Sequence, residues 1–236
     1  TGILNGNGHE IKNINTDSSL FNAVNGEIRN LVINNIQISA TSSNVGVINK
    51  LTAGKIDKVH IKNINIEMQE NTSNQDVYIG GIIANAENSE VSNSSVLNLS
   101  IRNSVELTSN STGAIMGVAS NTRIYNCWVQ NIDYEIENVL KSDGIGGIVG
   151  KFMNNGELQN CYSEGKIVTT SSNVGGIVGS ILNKNIIVHN TYSLVNIESG
   201  GEYIGGIVGI TSGGYNIYNN IAIGNLYATQ TTNYIG

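Results

Sequence analysis

The sequence predicts an all-β fold: a right-handed parallel β-helix whose coils are about thirty residues long, with three short strands in each. Three observations predict it. A glycine phrase, complete as Ile145-Gly-Gly-Ile-Val-Gly150, Val174-Gly-Gly-Ile-Val-Gly179 and Ile204-Gly-Gly-Ile-Val-Gly209, places its first glycine at 46, 80, 113, 146, 175, 205 and 236, intervals of 34, 33, 33, 29, 30 and 31. Between the phrases runs an apolar column of Ile28, Ile56, Val91, Ile124, Leu158, Val188 and Ile217. Two residues after each member comes Asn30, Lys58, Asn93, Asn126, Asn160, Asn190 or Asn219. Finally, stretches such as Leu97-Asn-Leu99-Ser-Ile101 and Ile132-Asp-Tyr134-Glu-Ile136 alternate apolar and polar residues, which is a strand signal. No helical period is sustained, and the leucine-rich, ankyrin and tetratricopeptide patterns do not fit these columns.

The coils follow in order within a single domain, 1–236. Residues 1–25 form a leading coil, in which Asn13 of "HEIKNI" reads as a partial early copy of the asparagine column. Repeats then span about 26–53, 54–87, 88–120, 121–155, 156–184, 185–213 and a truncated 214–236. In each, one strand lies over the glycine phrase and a second reaches the asparagine corner. A third leads to a polar loop such as Gln69–Asp76. Asparagine suits a corner because it tolerates left-handed torsions and hydrogen-bonds its own turn. With coils stacked about 4.8 Å apart, its amide also reaches the rungs above and below. Asn93, Asn126, Asn160, Asn190 and Asn219 are therefore assigned to the corner. Gly146, Gly175 and Gly205 are assigned to tight turns that glycine permits, with the Ile and Val between them filling the core. Seven to eight such coils make a rod of about 35–40 Å. Its hand follows the usual rule for parallel crossovers, and its ends need covering.

Composition narrows the function. The chain has 28 glycines and no proline, as repeated tight turns require and as a disordered linker does not. With 13% charged residues and a net charge of −6, it lacks the clustered Lys and Arg of a nucleic-acid groove. No apolar run reaches the roughly 18 residues of a membrane span. The opening Thr1-Gly-Ile-Leu-Asn carries no signal peptide, so the chain reads as an excised or processed piece. The closing "NYIG" reads as the first half of a further copy.

The stretch "GELQNCYSEGKIVTTSSNVGGIVGSI" resembles the GLUG repeat, which pairs N-C-Y-S-x-G-x-I with V-G-G-[IL]-V-G. The opening "GNGHEIKNINTDSSLFNAVNGEIRNLVI" resembles the stretch that precedes such arrays in bacterial surface proteins. Leu20-Phe21-Asn22 stands there where that stretch has Leu-Phe-Gly. GLUG arrays are best known from the immunoglobulin A peptidases and related zinc metalloproteases of streptococci and other Gram-positive bacteria, where they lie N-terminal to the catalytic region. They also occur in adhesins. The resemblance implies a secreted, cell-wall-associated parent with zinc in a separate catalytic domain. The implied partners are a host protein such as an immunoglobulin or a surface glycan, together with the flanking domains.

Within the chain no catalytic motif stands out. "HEIKN" at His9 has Asn13 where a zinc-binding helix needs its second histidine. His60 and His189 fall in other columns. "GGIVGS" lacks the Lys-Ser/Thr of a phosphate loop and recurs coil after coil. No column is consistently acidic, so neither a calcium repeat nor a glycosidase pair is indicated, although folding could gather scattered carboxylates. Cys127 and Cys161 share a column with Ser94, Thr191 and Asn220. Buried stacked thiols are the favoured state there, with a disulfide geometrically conceivable. The next column, expected to face outward, holds Trp128, Tyr162 and Tyr192 in succession. Packing beneath a neighbouring domain or long loop accounts for such a ladder, and so does a binding strip for a glycan or a protein. It is the one candidate site the sequence names.

Overall fold

The computed structural model describes residues 2–69, 76–107, 109–137, 142–230 and 234–236. Every strand pairing in it is parallel, and the described residues contain no helix. The chain winds into a β-solenoid of about seven turns, made of one 20-stranded sheet that bends around the coil and one 6-stranded sheet that closes it. A representative coil consists of Lys55–Met68, Asp76–Gly80 and Ile83–Glu87. Most of the polar loop expected over Gln69–Asp76 lies outside the described residues.

The register is the one the columns require. Ile28, Ile56, Val91, Ile124, Leu158, Val188 and Ile217 are successive partners along the axis. All are buried except Ile217, on the last coil, which is 36% exposed. Gly146, Gly175 and Gly205 are likewise in register, in the 6-stranded sheet. Tyr234–Gly236 extends the same stack, with Ile235 bridging to Ile204.

The glycine phrase bends the chain from one sheet to the other, just after Gly146, Gly175 and Gly205, and asparagine supplies most of the left-handed corners. Of 21 non-glycine residues with positive φ among those described, 18 are Asn. The corner residues Asn30, Lys58, Asn93, Asn126, Asn160, Asn190 and Asn219 all lie between φ 49 and 55. Amide rungs join several of them: Asn126 Nδ2 donates to Asn93 Oδ1 at 3.2 Å, and Asn160 Nδ2 to Asn126 Oδ1 at 3.3 Å. Asn93 Nδ2 donates instead to the Asp57 carboxylate at 2.7 Å. Burial of that carboxyl opposes its charge. The bonds from Asn93 and Ser92 outweigh the burial and hold it below its usual value.

One assignment needs correcting. Asn13 does not belong to this corner: its Oδ1 accepts from Asn35 Nδ2 at 2.8 Å, in a second left-handed column of Asn13, Asn35, Asn63, Asn98 and Asn131. Rungs at 2.7 Å from Asn98 to Asn63 and 2.9 Å from Asn131 to Asn98 continue it. Asn30 Nδ2 donates instead to Asn5 Oδ1 at 3.1 Å, although Asn5 is in register with Arg29. Both corners use the same residue type, and the short leading coil gives no spacing that distinguishes them.

The core is a stack of matched rows. Phe152 fits because the two coils preceding it in its row supply Ala119 and Ala86. Tyr134 is the exception, since after Thr16 of the leading coil its row is otherwise Ile38, Ile66, Ile101, Ile167, Ile197 and Leu226. It is fully buried, and its hydroxyl has no protein partner among the described residues. Burial alone pushes its pKa far up. Tyr134→Phe should therefore raise stability by about 1 kcal/mol, because it removes a desolvated hydroxyl and leaves the ring in place. A urea denaturation in which the phenylalanine variant is less stable would show that the hydroxyl is satisfied.

Candidate functional site

The outward column lies on the short flat face between the corner of Asn93, Asn126 and Asn160 and that of Asn98 and Asn131. Its inner neighbours are Cys127 and Cys161, both buried free thiols. Each sulfur reaches the carbonyl two residues earlier, Cys127 to Tyr125 at 3.4 Å and Cys161 to Gln159 at 3.2 Å. Burial, reinforced by contact with Cys127, pushes the Cys161 thiol well up, so it stays protonated and unreactive.

Because side chains alternate along a strand, the residue after each inward cysteine faces outward. The column reads Val32, His60, Ser95, Trp128, Tyr162, Tyr192 and Ile221, each in register with the next. Trp128 is 39% exposed, and Tyr162 and Tyr192 are half-buried. The rings form two pairs. Tyr162 stacks on Tyr192 with centroids 5.7 Å apart. Trp128 stacks instead with His60, two coils away at 6.4 Å, over the small side chain of Ser95. The Tyr162 hydroxyl donates to the Glu164 carboxylate. Burial, and then this bond, raise the Tyr162 pKa to about 12.

His60 Nδ1 sits 2.7 Å from Ser95 Oγ. Burial, with nearby Lys62 adding to it, lowers its pKa below the ordinary 6.5. The unfolded chain then takes up this proton at a higher pH than the folded one. Stability from His60 is complete above about pH 6.5 and declines as pH falls below that value. His60→Gln should flatten the melting temperature between about pH 6.5 and 5 relative to the native chain. Identical pH profiles for the two would exclude this linkage.

Beside the column the solenoid changes shape. The second asparagine corner ends at Asn131, because one residue is lost in the next coil and Gly165 comes to lie against Ile132. Gly165 has φ +137, and a Cβ there would stand 2.3 Å from the Ile132 carbonyl oxygen, so only glycine fits. The lost residue leaves a notch of about 390 Å³, lined by Asn131, Asp133, Glu164, Lys166, Leu194 and Asn196. Arg102 pairs with Asp133 and, at 2.9 Å, with Glu135. Lys166 lies 3.7 Å from Glu198. Sequence reasoning did not identify this notch. The signal was an Asn five residues after each corner residue, at Asn35, Asn63, Asn98 and Asn131, which becomes Gly165 in the following coil.

A larger groove, about 710 Å³, runs along the coils from Gly2 to Arg123. Its row Glu27, Lys55, Glu90 and Arg123 alternates in charge along the axis. Lys55 bonds Glu90 at 2.9 Å and holds it below its usual pKa. These charges serve one another and no aromatic side chain lines the groove, so we place the site at the outward column. His9 lies on the exposed face near the first coil, with Nδ1 2.8 Å from the Gly6 carbonyl. No group of three or more His, Cys, Asp or Glu among the described residues is placed to hold a metal ion. No family model, curated protein or solved structure matches the chain, so the GLUG resemblance stands on the residues quoted for it.

Proposed function

We propose that this solenoid is a non-catalytic, surface-displayed spacer and binding platform, and that Trp128, Tyr162 and Tyr192 form its contact face. The observation that carries this reading is that column: large rings held at the surface, in register, on a rigid stack of coils. The stack suits a spacer because each coil is hydrogen-bonded to its neighbours and extends the rod by a fixed increment. The GLUG resemblance supplies the setting: a secreted, cell-wall-associated zinc metalloprotease similar to the immunoglobulin A peptidases, with zinc in its own catalytic domain. An adhesin without a protease fits the same column.

Two measurements test this. Trp128→Ala should weaken binding to immobilised immunoglobulin or to a glycan array by about tenfold, with little change in melting temperature, as removal of an aromatic anchor does. Equal binding by native and variant chains on every surface would sink the contact face. The parent is tested separately: a downstream H-E-x-x-H in the same gene supports the protease, and a complete gene without one leaves the adhesin.

A further inference from the structure

We infer that the notch beside the aromatic column is a subsite for a neutral glycan. This rests on the column being the contact face, and it names what that face holds. The second asparagine ladder ends at this notch. In the second corner the carboxamide oxygens of Asn13, Asn63 and Asn98 each accept from the asparagine of the following coil, while Asn63 crosses to Asn34 and passes over Asn35. Asn131 is the last, because the next coil is one residue shorter there and Gly165, in register with Ile132, has no side chain to donate. Asn131 Oδ1 is thus an acceptor at the notch without its ladder donor.

Polar groups of several kinds surround that acceptor. Asp133 and Glu164 offer carboxylate acceptors, Lys166 a cationic donor and Asn196 an amide, with Leu194 as an apolar patch beside them. A sugar ring presents this same mixture, hydroxyls that donate and accept around C–H faces that pack on apolar groups. Glu164 ties the notch to the column, since the Tyr162 hydroxyl donates to it and fixes its position. A strand of saccharide lying along the axis would meet Trp128, then Tyr162, with a ring seated in the notch.

Charge selects the class. The acidic groups at and beside the notch, Asp133, Glu135, Glu164 and Glu198, outnumber the basic Arg102 and Lys166. A uronate or phosphate polymer meets net repulsion there, whereas a neutral glycan does not. The volume is at the small end of ligand clefts and suits a short stretch of saccharide rather than a protein loop.

The test uses the whole chain, with neutral gluco-, manno- and N-acetylglucosamine oligosaccharides as probes and polygalacturonate as the acidic comparison, read by calorimetric titration. At least one neutral probe should bind, and more tightly than the acidic polymer. The double variant Asp133→Asn, Glu164→Gln, which keeps side-chain shape, should weaken that binding roughly tenfold or more, since charged acceptors are lost. Its melting temperature should stay near native, because the ion pair removed is exposed. Binding lost in Trp128→Ala but unchanged in the double variant overturns the notch and leaves the contact face standing. Preference for the acidic polymer, or no glycan binding at all, also overturns the inference. In that last case immunoglobulin binding that falls in Trp128→Ala still upholds the contact face.

Discussion

Replacing Gly175 by alanine should destabilise the solenoid by about 3 kcal/mol, the upper end of what overpacking a closed structure costs. For a chain of this size that is a loss of roughly 6–12 °C in melting temperature. A Cβ at Gly175 would stand 2.0 Å from the Val178 carbonyl oxygen and 2.8 Å from the Gly209 nitrogen. Both are backbone atoms, so no side chain can swing aside. Relief requires moving the bend that follows, which is bonded to the next coil from Gly176, Ile177 and Val178 at 3.0, 3.0 and 2.9 Å. Gly200→Ala is the control: its Cβ would meet nothing nearer than Thr229 Oγ1 at 3.2 Å, and it should change stability by about 0.5 kcal/mol or less. Far-UV circular dichroism melts compare the two. Equal, small losses would show that the bend is soft and that close backbone approach is not why glycine stands there.

Asn126→Ala should cost about 2 kcal/mol. Most of this is torsional, because Asn126 has φ 54, where alanine places its Cβ against the following carbonyl. The remainder is the loss of amide rungs to Asn93 and Asn160, at 3.2 and 3.3 Å on an exposed edge. The opposite change is available at Lys58, which holds φ 54 in the same column without the side chain suited to it. Lys58→Asn should gain about 1 kcal/mol. Asn126→Gly accepts the torsion but removes the rungs, and in chemical denaturation it should cost less than alanine. If glycine costs as much, the rungs rather than the torsion are what the column supplies.

Much of the fold was legible because a solenoid writes the same local requirement once per coil. The apolar row from Ile28 to Ile217 and the corner from Asn30 to Asn219 could be aligned by eye, and alternation gave the outward face of Trp128, Tyr162 and Tyr192. The second corner was harder to see. Asparagine is abundant in this chain, and Asn13 satisfied either column until its bond to Asn35 fixed the register. The ring pairing was not legible either. Trp128 leans toward His60 because Ser95 between them is small, a fact about three coils together.

The role of the glycine phrase shows most directly where the two kinds of information part. The repeat itself showed that Gly146, Gly175 and Gly205 punctuate each coil, and glycine suggested freedom to turn. None of the three has a positive φ; most left-handed positions belong to asparagine, and these glycines stand where the chain bends between sheets and backbones approach. The sequence by itself determined the coil length, the inward and outward rows and the asparagine corner, because torsional preference and alternation are properties of a residue and its near neighbours. Only the tertiary structure decided which backbones come close, where the second ladder stops at Asn131, and that a notch opens beside Tyr162. Those depend on atoms one coil apart, which local preference cannot place until the coils are stacked.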